Sequence, residues 1–172
     1  MATALKLTKS QEDTLYLLRL DGLRREIELH EATEAYNKAQ EIEKAVNQHV
    51  VDNNSYTVGI ENDPEYGSPI TLERDTFMID ADIFENDFLP KAKAAYMELY
   101  GIDNPLNFVY SHPMFERKMK AEKAYRMIAV DFLKVSGRPL EAEQLEKAIK
   151  GYLNPKLEKQ LIAITKSFID GN

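Results

Sequence analysis

The sequence contains no cysteine among its 172 residues. This absence excludes thiol catalysis, thiolate metal sites and disulfide frameworks, and it fits a reducing compartment. The sequence also lacks an apolar run of the roughly 18 residues that span a membrane, and residues 1–10 lack the apolar core of a signal peptide. We therefore expect a cytoplasmic protein, in a cell or in a host cell, or one packed within a virion, and we expect no membrane partner.

Motifs for nucleotide and metal chemistry are missing as well. The seven glycines form neither of the glycine-rich loops that hold phosphates. The histidines lack the preceding glutamate of the Glu-x-x-His pairs that bind two metal ions in helical bundles, because Ile27, Val46 and Val109 stand three residues before them. We therefore predict no cofactor, no metal ion and no catalytic residue, and hence a protein that is not an enzyme.

Two further groups of potentially reactive side chains are better explained by structural roles than by chemistry. Glu26, His30 and Glu34 share one helical face and could ligate a metal, but a helical histidine flanked by acids is usually an exposed surface residue. Ser111 and His112 place a hydroxyl beside an imidazole, yet no spacing in the sequence supplies a third group to orient the base. Helix capping explains Ser111 better.

The negative charge of the chain is concentrated in one stretch. Residues 52–87 contain ten Asp and Glu against one base, Arg74, which gives this stretch −9; the remainder has 21 bases and 19 acids, so the whole chain carries −7. The stretch also has β-type runs at residues 56–60, 69–72 and 76–79, separated by turn-forming residues. We predict an acidic insert that forms a two- or three-stranded hairpin.

The segment before the insert has the pattern of a long amphipathic helix. Ser10 followed by Asp13 indicates a helix start. Gly22 predicts either a break into two helices or one helix with a weak point that costs about 1 kcal/mol relative to alanine. A helix over residues 23–51 would be about 40 Å long, so its apolar side is covered either by the C-terminal helices or by another chain. That side is formed by Ala32, Tyr36, Ala39, Ile42, Val46 and Val50.

Proline and glycine mark the helix boundaries after the insert. They predict four helices with short connections, which favour antiparallel neighbours. The fold class is therefore predicted as mainly α, with α+β as the alternative: an antiparallel helical bundle with a long N-terminal helix and a small acidic β-hairpin. The predicted helices span residues 90–100, 114–135, 139–151 and 155–170. In domain terms we predict a single domain, residues 1–172, with an N-terminal helical arm (1–51), an acidic β-leaning insert (52–87) and a C-terminal helical bundle (88–172).

The acidic insert is one candidate for a partner-binding surface, through Asp63, Glu65, Asp80 and Asp82. The alternating carboxylates after residue 79 also raise the question of a cation, although the glycine and the spacing of an EF-hand are absent. A simpler interpretation is that Asp80 or Asp82 caps the following helix. An exposed acidic surface suits a basic partner, including another copy of the protein.

A basic segment on the third long helix is the complementary candidate, through Arg117, Lys120, Lys123 and Arg126. These bases form either a partner-binding surface or an ordinary solvated face. The acidic balance of the chain disfavours general binding to nucleic acid, which leaves only local contacts through residues 117–126. Acidic and basic surfaces on one chain can pair head-to-tail between copies, and such contacts close into a ring when the rotation allows it.

The leading hypothesis from the sequence is therefore a helical adaptor or assembly component that acts through protein–protein contacts. Its expected partners are copies of itself or a larger assembly, and a phage-type ring or connector is one assembly of this kind. The alternative is a small inhibitory or regulatory protein that docks its acidic insert on a basic partner surface.

Overall fold

The computed structural model describes residues 7–56, 59, 67–104, 109–138, 156, 159 and 163. Within these residues the fold is mostly helical, with a long N-terminal helix and a two-stranded antiparallel sheet. The predicted mainly α class with a small β insert is thereby confirmed. The predicted helices over 139–151 and 155–170 lie outside the described residues, apart from Lys156, Lys159 and Ala163, which are helical.

The chain divides into two compact units. Unit 1 contains residues 1–34 and 116–172, and unit 2 contains residues 35–115. Two helices of the described part, over residues 9–52 and 112–136, each contribute residues to both units. Whether the units unfold together, as the predicted single domain requires, stays a prediction.

Helix α1 spans Lys9–Asp52. Its start is a reciprocal capping box, because the Gln11 backbone N–H donates to the Thr8 hydroxyl at 3.2 Å and the Gln11 side-chain oxygen accepts from the Thr8 backbone N–H at 2.9 Å. The predicted cap at Ser10 was therefore wrong by two residues, since Ser10 lies inside the first turn. Thr8-x-x-Gln11 is the stronger sequence signal because each side chain satisfies a backbone donor of the other residue.

Helix α1 continues through Gly22 without a break, so the second of the two predicted outcomes is correct. A Cβ atom at position 22 would lie 3.2 Å from Cδ1 of Ile128. The glycine therefore allows a close approach of the helix that carries Ile128, and this packing offsets the weak helix propensity of glycine.

That second helix, α4, spans His112–Ser136 and lies antiparallel to α1 in unit 1. The Gln11 side-chain amide donates to the Val135 carbonyl at 2.9 Å, and Arg25 donates to the Ala124 carbonyl at 2.8 Å. Residues nearer the C-terminus of α1 thus contact residues nearer the N-terminus of α4, as expected for antiparallel helices. One side of α4 packs on α1, and the opposite side faces outwards.

In unit 2, strand β1 (Ser68–Thr71) pairs with strand β2 (Thr76–Ile79) in an antiparallel hairpin. The predicted runs at 69–72 and 76–79 are confirmed as strands to within one residue. Gly59 donates its N–H to the Met78 carbonyl at 2.9 Å and forms an isolated bridge. The rest of the run at 56–60, apart from Tyr56, lies outside the described residues.

The hydrophobic core of unit 2 lies between the C-terminal part of α1, the hairpin and the helices that follow it. After β2 come the short helix α2 (Ala81–Ile83), a π-helical turn (Phe84–Phe88) and helix α3 (Leu89–Tyr100). Helix α3 ends at Gly101, whose φ of 65° is the left-handed cap that the sequence predicts. The core residues are Val46, Val50, Ile70, Phe77, Ile79, Phe84, Phe88, Ala92, Ala95 and Tyr96.

Candidate functional site

The acidic candidates separate into two groups. The Asp80 carboxylate accepts hydrogen bonds from the backbone N–H groups of Asp82 and Ile83, at 2.9 and 3.4 Å, and so caps α2. Asp82 is exposed in the first turn of that helix. Asp63 and Glu65 lie outside the described residues. Among the residues that the structure describes, no cluster of histidine and carboxylates has the arrangement of a metal site.

The basic candidates also fall into two groups, because Arg117 forms ion pairs within unit 1. Its guanidinium donates to the two carboxylate oxygens of Glu28 at 2.9 and 3.2 Å and lies 3.5 Å from a carboxylate oxygen of Glu31. The hydrogen bond to Arg117 lowers the pKa of Glu28, and the same bond raises the pKa of Arg117. Arg117 therefore joins α4 to α1, and its place in a partner-binding surface stays a prediction, which these ion pairs disfavour.

The other three bases remain together on the outer side of α4. Lys120, Lys123 and Arg126 line a shallow groove of about 490 Å³ with Met119, Glu122 and Met127. Neither Lys120 nor Lys123 forms an ion pair with any described residue, whereas Arg126 pairs with Glu122 one turn earlier. We call the surface formed by Met119, Lys120, Lys123, Arg126 and Met127 the basic face.

The basic face combines charge with exposed apolar area. The side chains of Met119 and Met127 are 47% and 37% exposed. Val130 and Leu133 are also exposed. They follow Arg126 at spacings of four and seven residues, so they lie on the same side of the helix. Exposed apolar residues that lie next to unpaired charges are a common mark of a protein–protein interaction site.

A sequence signal for this surface exists in the spacing of apolar and basic residues together, which the positions of the charges alone do not reveal. Met119, Lys123, Arg126, Val130 and Leu133 follow one another at alternating intervals of four and three. This spacing places them in one line along a helix, as in the seam of a coiled coil. A seam with bases at its centre fits a partner with acids at its centre and apolar residues beside them.

A second groove borders the basic face and extends the accessible surface. It has a volume of about 730 Å³ and contains residues of α1 and α4 within unit 1. Arg126 belongs to both grooves and therefore lies at the boundary between them. The lining residues of the second groove are Arg19, Gly22, Leu23, Glu26, Tyr125, Arg126, Ile128, Ala129 and Phe132.

Unit 2 contains a cluster of ionisable groups around Tyr56. Lys91 Nζ lies 2.7 Å from an Asp87 carboxylate oxygen and 5.6 Å from the centre of the Tyr56 ring. The hydrogen bond between Lys91 and Asp87 lowers the pKa of Asp87 and raises the pKa of Lys91, while burial raises the pKa of the Tyr56 phenol. Each shift moves a pKa away from neutrality, whereas a general acid or base works best with a pKa near the working pH.

Tyr96 is the largest of the fully buried side chains that the structure describes, and its hydroxyl is also buried. It is 1% exposed, and its oxygen has no hydrogen-bond partner among the described residues. Burial, and then the charge of Glu43, raise the pKa of its phenol. The Glu43 carboxylate itself accepts a hydrogen bond from the backbone N–H of Ser111 at 2.9 Å.

The substitution Tyr96→Phe is therefore expected to stabilise the protein. A buried hydroxyl without a partner costs about 1 to 3 kcal/mol, and phenylalanine fills the same volume without that cost. We expect a gain of about 1 kcal/mol in the free energy of unfolding, measured by urea denaturation at neutral pH. A loss of stability in this variant would show that the hydroxyl has a partner.

No protein-family model matches the chain, and comparisons with curated proteins and with solved structures found no match. No helix in the described ranges combines the length and the apolarity that a bilayer crossing requires. The surfaces of the molecule, and above all the basic face of α4, are therefore the source of functional information.

Proposed function

We propose that this protein is a non-enzymatic adaptor or assembly component that self-associates through the basic face of α4. The observation that carries the proposal is the exposure of Lys120 and Lys123, which have no ion-pair partner among the described residues, beside the exposed Met119 and Met127. By contrast, Arg117 on the same helix forms ion pairs with Glu28 and Glu31. Arg117 thus contributes to the contact between α4 and α1, whereas Lys120 and Lys123 are available to a partner.

A second copy of the chain supplies the charge that this face needs. The whole chain carries −7, and residues 52–87 alone carry −9, so acidic surface is abundant on every copy. A contact between two different surfaces of one chain repeats from copy to copy, which produces a closed ring or an open filament. A component of a ring or connector, working in the cytoplasm of a cell or host cell or within a virion, fits this behaviour.

The apolar part of the basic face favours a protein partner over nucleic acid. Phosphate recognition needs bases and polar donors, whereas the exposed methionines and the adjoining Val130 and Leu133 gain stability only when another apolar surface covers them. The acidic total charge also opposes long-range attraction of nucleic acid. Binding to a duplex that weakens steeply with salt would reverse this choice.

The solution mass of the protein tests the proposal. We expect a mass above the 19.7 kDa of the single chain at low ionic strength, measured by light scattering after size exclusion. The mass should fall when the salt is raised to about 1 M, because the screening length shortens from about 10 Å at 0.1 M to about 3 Å. A mass of one chain at every salt and protein concentration contradicts self-association and favours the inhibitory or regulatory alternative.

A further inference from the structure

Another groove, whose acidic lining complements the basic face, lies in unit 2 at the C-terminal end of α1. It has a volume of about 700 Å³ and contains residues of α1, of the turn between β1 and β2, and of α3. We call it the acidic groove. Its lining residues are Glu41, Lys44, Ala45, Gln48, His49, Asp52, Glu73 and Leu99.

The acidic groove has unpaired carboxylates at its surface. Glu41 and Glu73 are exposed and form no ion pair with any described residue, and Asp52 accepts a hydrogen bond from the Gln48 side-chain amide at 2.8 Å. Three carboxylates stand against the single base Lys44, so the formal charge of the lining is −2 with neutral histidine. The groove at the basic face has the opposite formal charge, +2, because its lining contains three bases and one acid, Glu122.

Apolar area accompanies the charge in this groove as it does in the basic face. The Leu99 side chain, which α3 contributes to the lining, is 43% exposed. The two surfaces therefore match in charge and in the presence of apolar contacts beside the charges.

Asp52 combines a favourable side-chain hydrogen bond from Gln48 with an unfavourable position relative to the dipole of its own helix. It is the last residue of α1, where the helix dipole favours a cation and disfavours a carboxylate. A carboxylate at this position gains a favourable interaction when a base from another molecule approaches the end of the helix.

We infer that the acidic groove of unit 2 is the acceptor for the basic face of α4 from a second copy. The inference rests on the proposed self-association and names the surface that completes it. Because both surfaces belong to one sequence, each copy offers one donor face and one acceptor groove at equal concentration. The acceptor differs from the acidic residues that the sequence singled out, since the Asp80 carboxylate is already bound by backbone N–H groups of α2.

Two neutralised variants test this pairing. The face variant carries Lys120→Gln, Lys123→Gln and Arg126→Gln, and the groove variant carries Glu41→Gln, Asp52→Asn and Glu73→Gln. Each variant alone lacks one of the two surfaces and is expected to remain at the 19.7 kDa of one chain. An equimolar mixture retains one intact face and one intact groove, so light scattering should show a complex of twice that mass that does not grow further.

A matched control removes three acids of unit 2 that lie outside the groove. Asp82→Asn, Glu85→Gln and Asp103→Asn change exposed residues and the same amount of charge. This control variant should assemble as the wild type does. Circular dichroism and the urea midpoint of all three variants show whether each of them is folded.

The outcomes separate this inference from the proposed function. If the wild type stays a single chain under all conditions, the proposed function is wrong and the pairing is wrong with it. If the wild type assembles and the folded groove variant assembles equally well, self-association stands and the acidic groove is not its acceptor. A mixture of the two neutralised variants that fails to form a complex also overturns the pairing.

Discussion

Reversing the charge of the basic face should abolish self-association. In the variant Lys120→Glu, Lys123→Glu and Arg126→Glu, three attractive contacts become repulsive, and like charges across an interface cost several kcal/mol. A loss of about 3 kcal/mol is expected at least, which corresponds to a roughly 100-fold weaker affinity. Light scattering should therefore give the mass of one chain at concentrations where the wild type is assembled.

The fold should survive this charge reversal, because all three side chains are exposed. A matched control reverses three exposed bases of α1: Lys9→Glu, Arg24→Glu and Lys38→Glu. It changes the net charge by the same amount and should retain assembly. If the variant of the basic face assembles as strongly as the wild type, α4 is not the surface through which copies meet.

The substitution Ile79→Ala should cause the largest loss of stability among the changes considered. Ile79 is completely buried at the end of β2, in the core that joins the hairpin to α1 and α3. Truncation of a buried isoleucine to alanine costs about 2 to 5 kcal/mol, because contacts are lost and a cavity remains. This is a large part of the roughly 5 to 15 kcal/mol that stabilises a typical domain. Urea denaturation followed by circular dichroism measures the change.

Ile83→Ala provides the control for this prediction. Ile83 lies four residues later, on α2, and its side chain is 41% exposed. The same truncation there should change the free energy of unfolding by about 0.5 kcal/mol or less. Equal losses in the two variants would show that the hairpin does not cover the core of unit 2 as described. A single unfolding transition in both would support the prediction of one domain.

Much of the fold could be predicted because its signals lie in adjacent residues. The end of α3 follows from Gly101, and the start of α4 follows from the proline at position 113. The capping role of Asp80 is equally local, since it depends on backbone groups two and three residues later. The error at the start of α1 was also local: Thr8 with Gln11 forms a better capping box than Ser10 with Asp13.

The candidate site was less predictable because it depends on contacts between distant parts of the chain. Arg117 looked equivalent to Lys120 and Lys123 until the fold placed Glu28, which is 89 residues away in sequence, beside it. The acidic groove likewise combines Glu41 and Asp52 of α1 with Glu73 of the hairpin turn. Composition located the excess of acid in the insert, but only the packing of unit 2 showed which carboxylates share a groove.

The central claim is that copies of this protein meet at the outer side of α4, and photo-cross-linking tests it most directly. The chain has no cysteine, so Lys123→Cys gives a single site for a thiol-reactive photo-cross-linker. A mixture of this labelled variant with isotopically labelled wild type distinguishes links between copies from links within one chain. We expect links between copies, from position 123 to residues 41–52 or to Glu73; links confined to single chains, at concentrations where the wild type is assembled, would contradict self-association through α4.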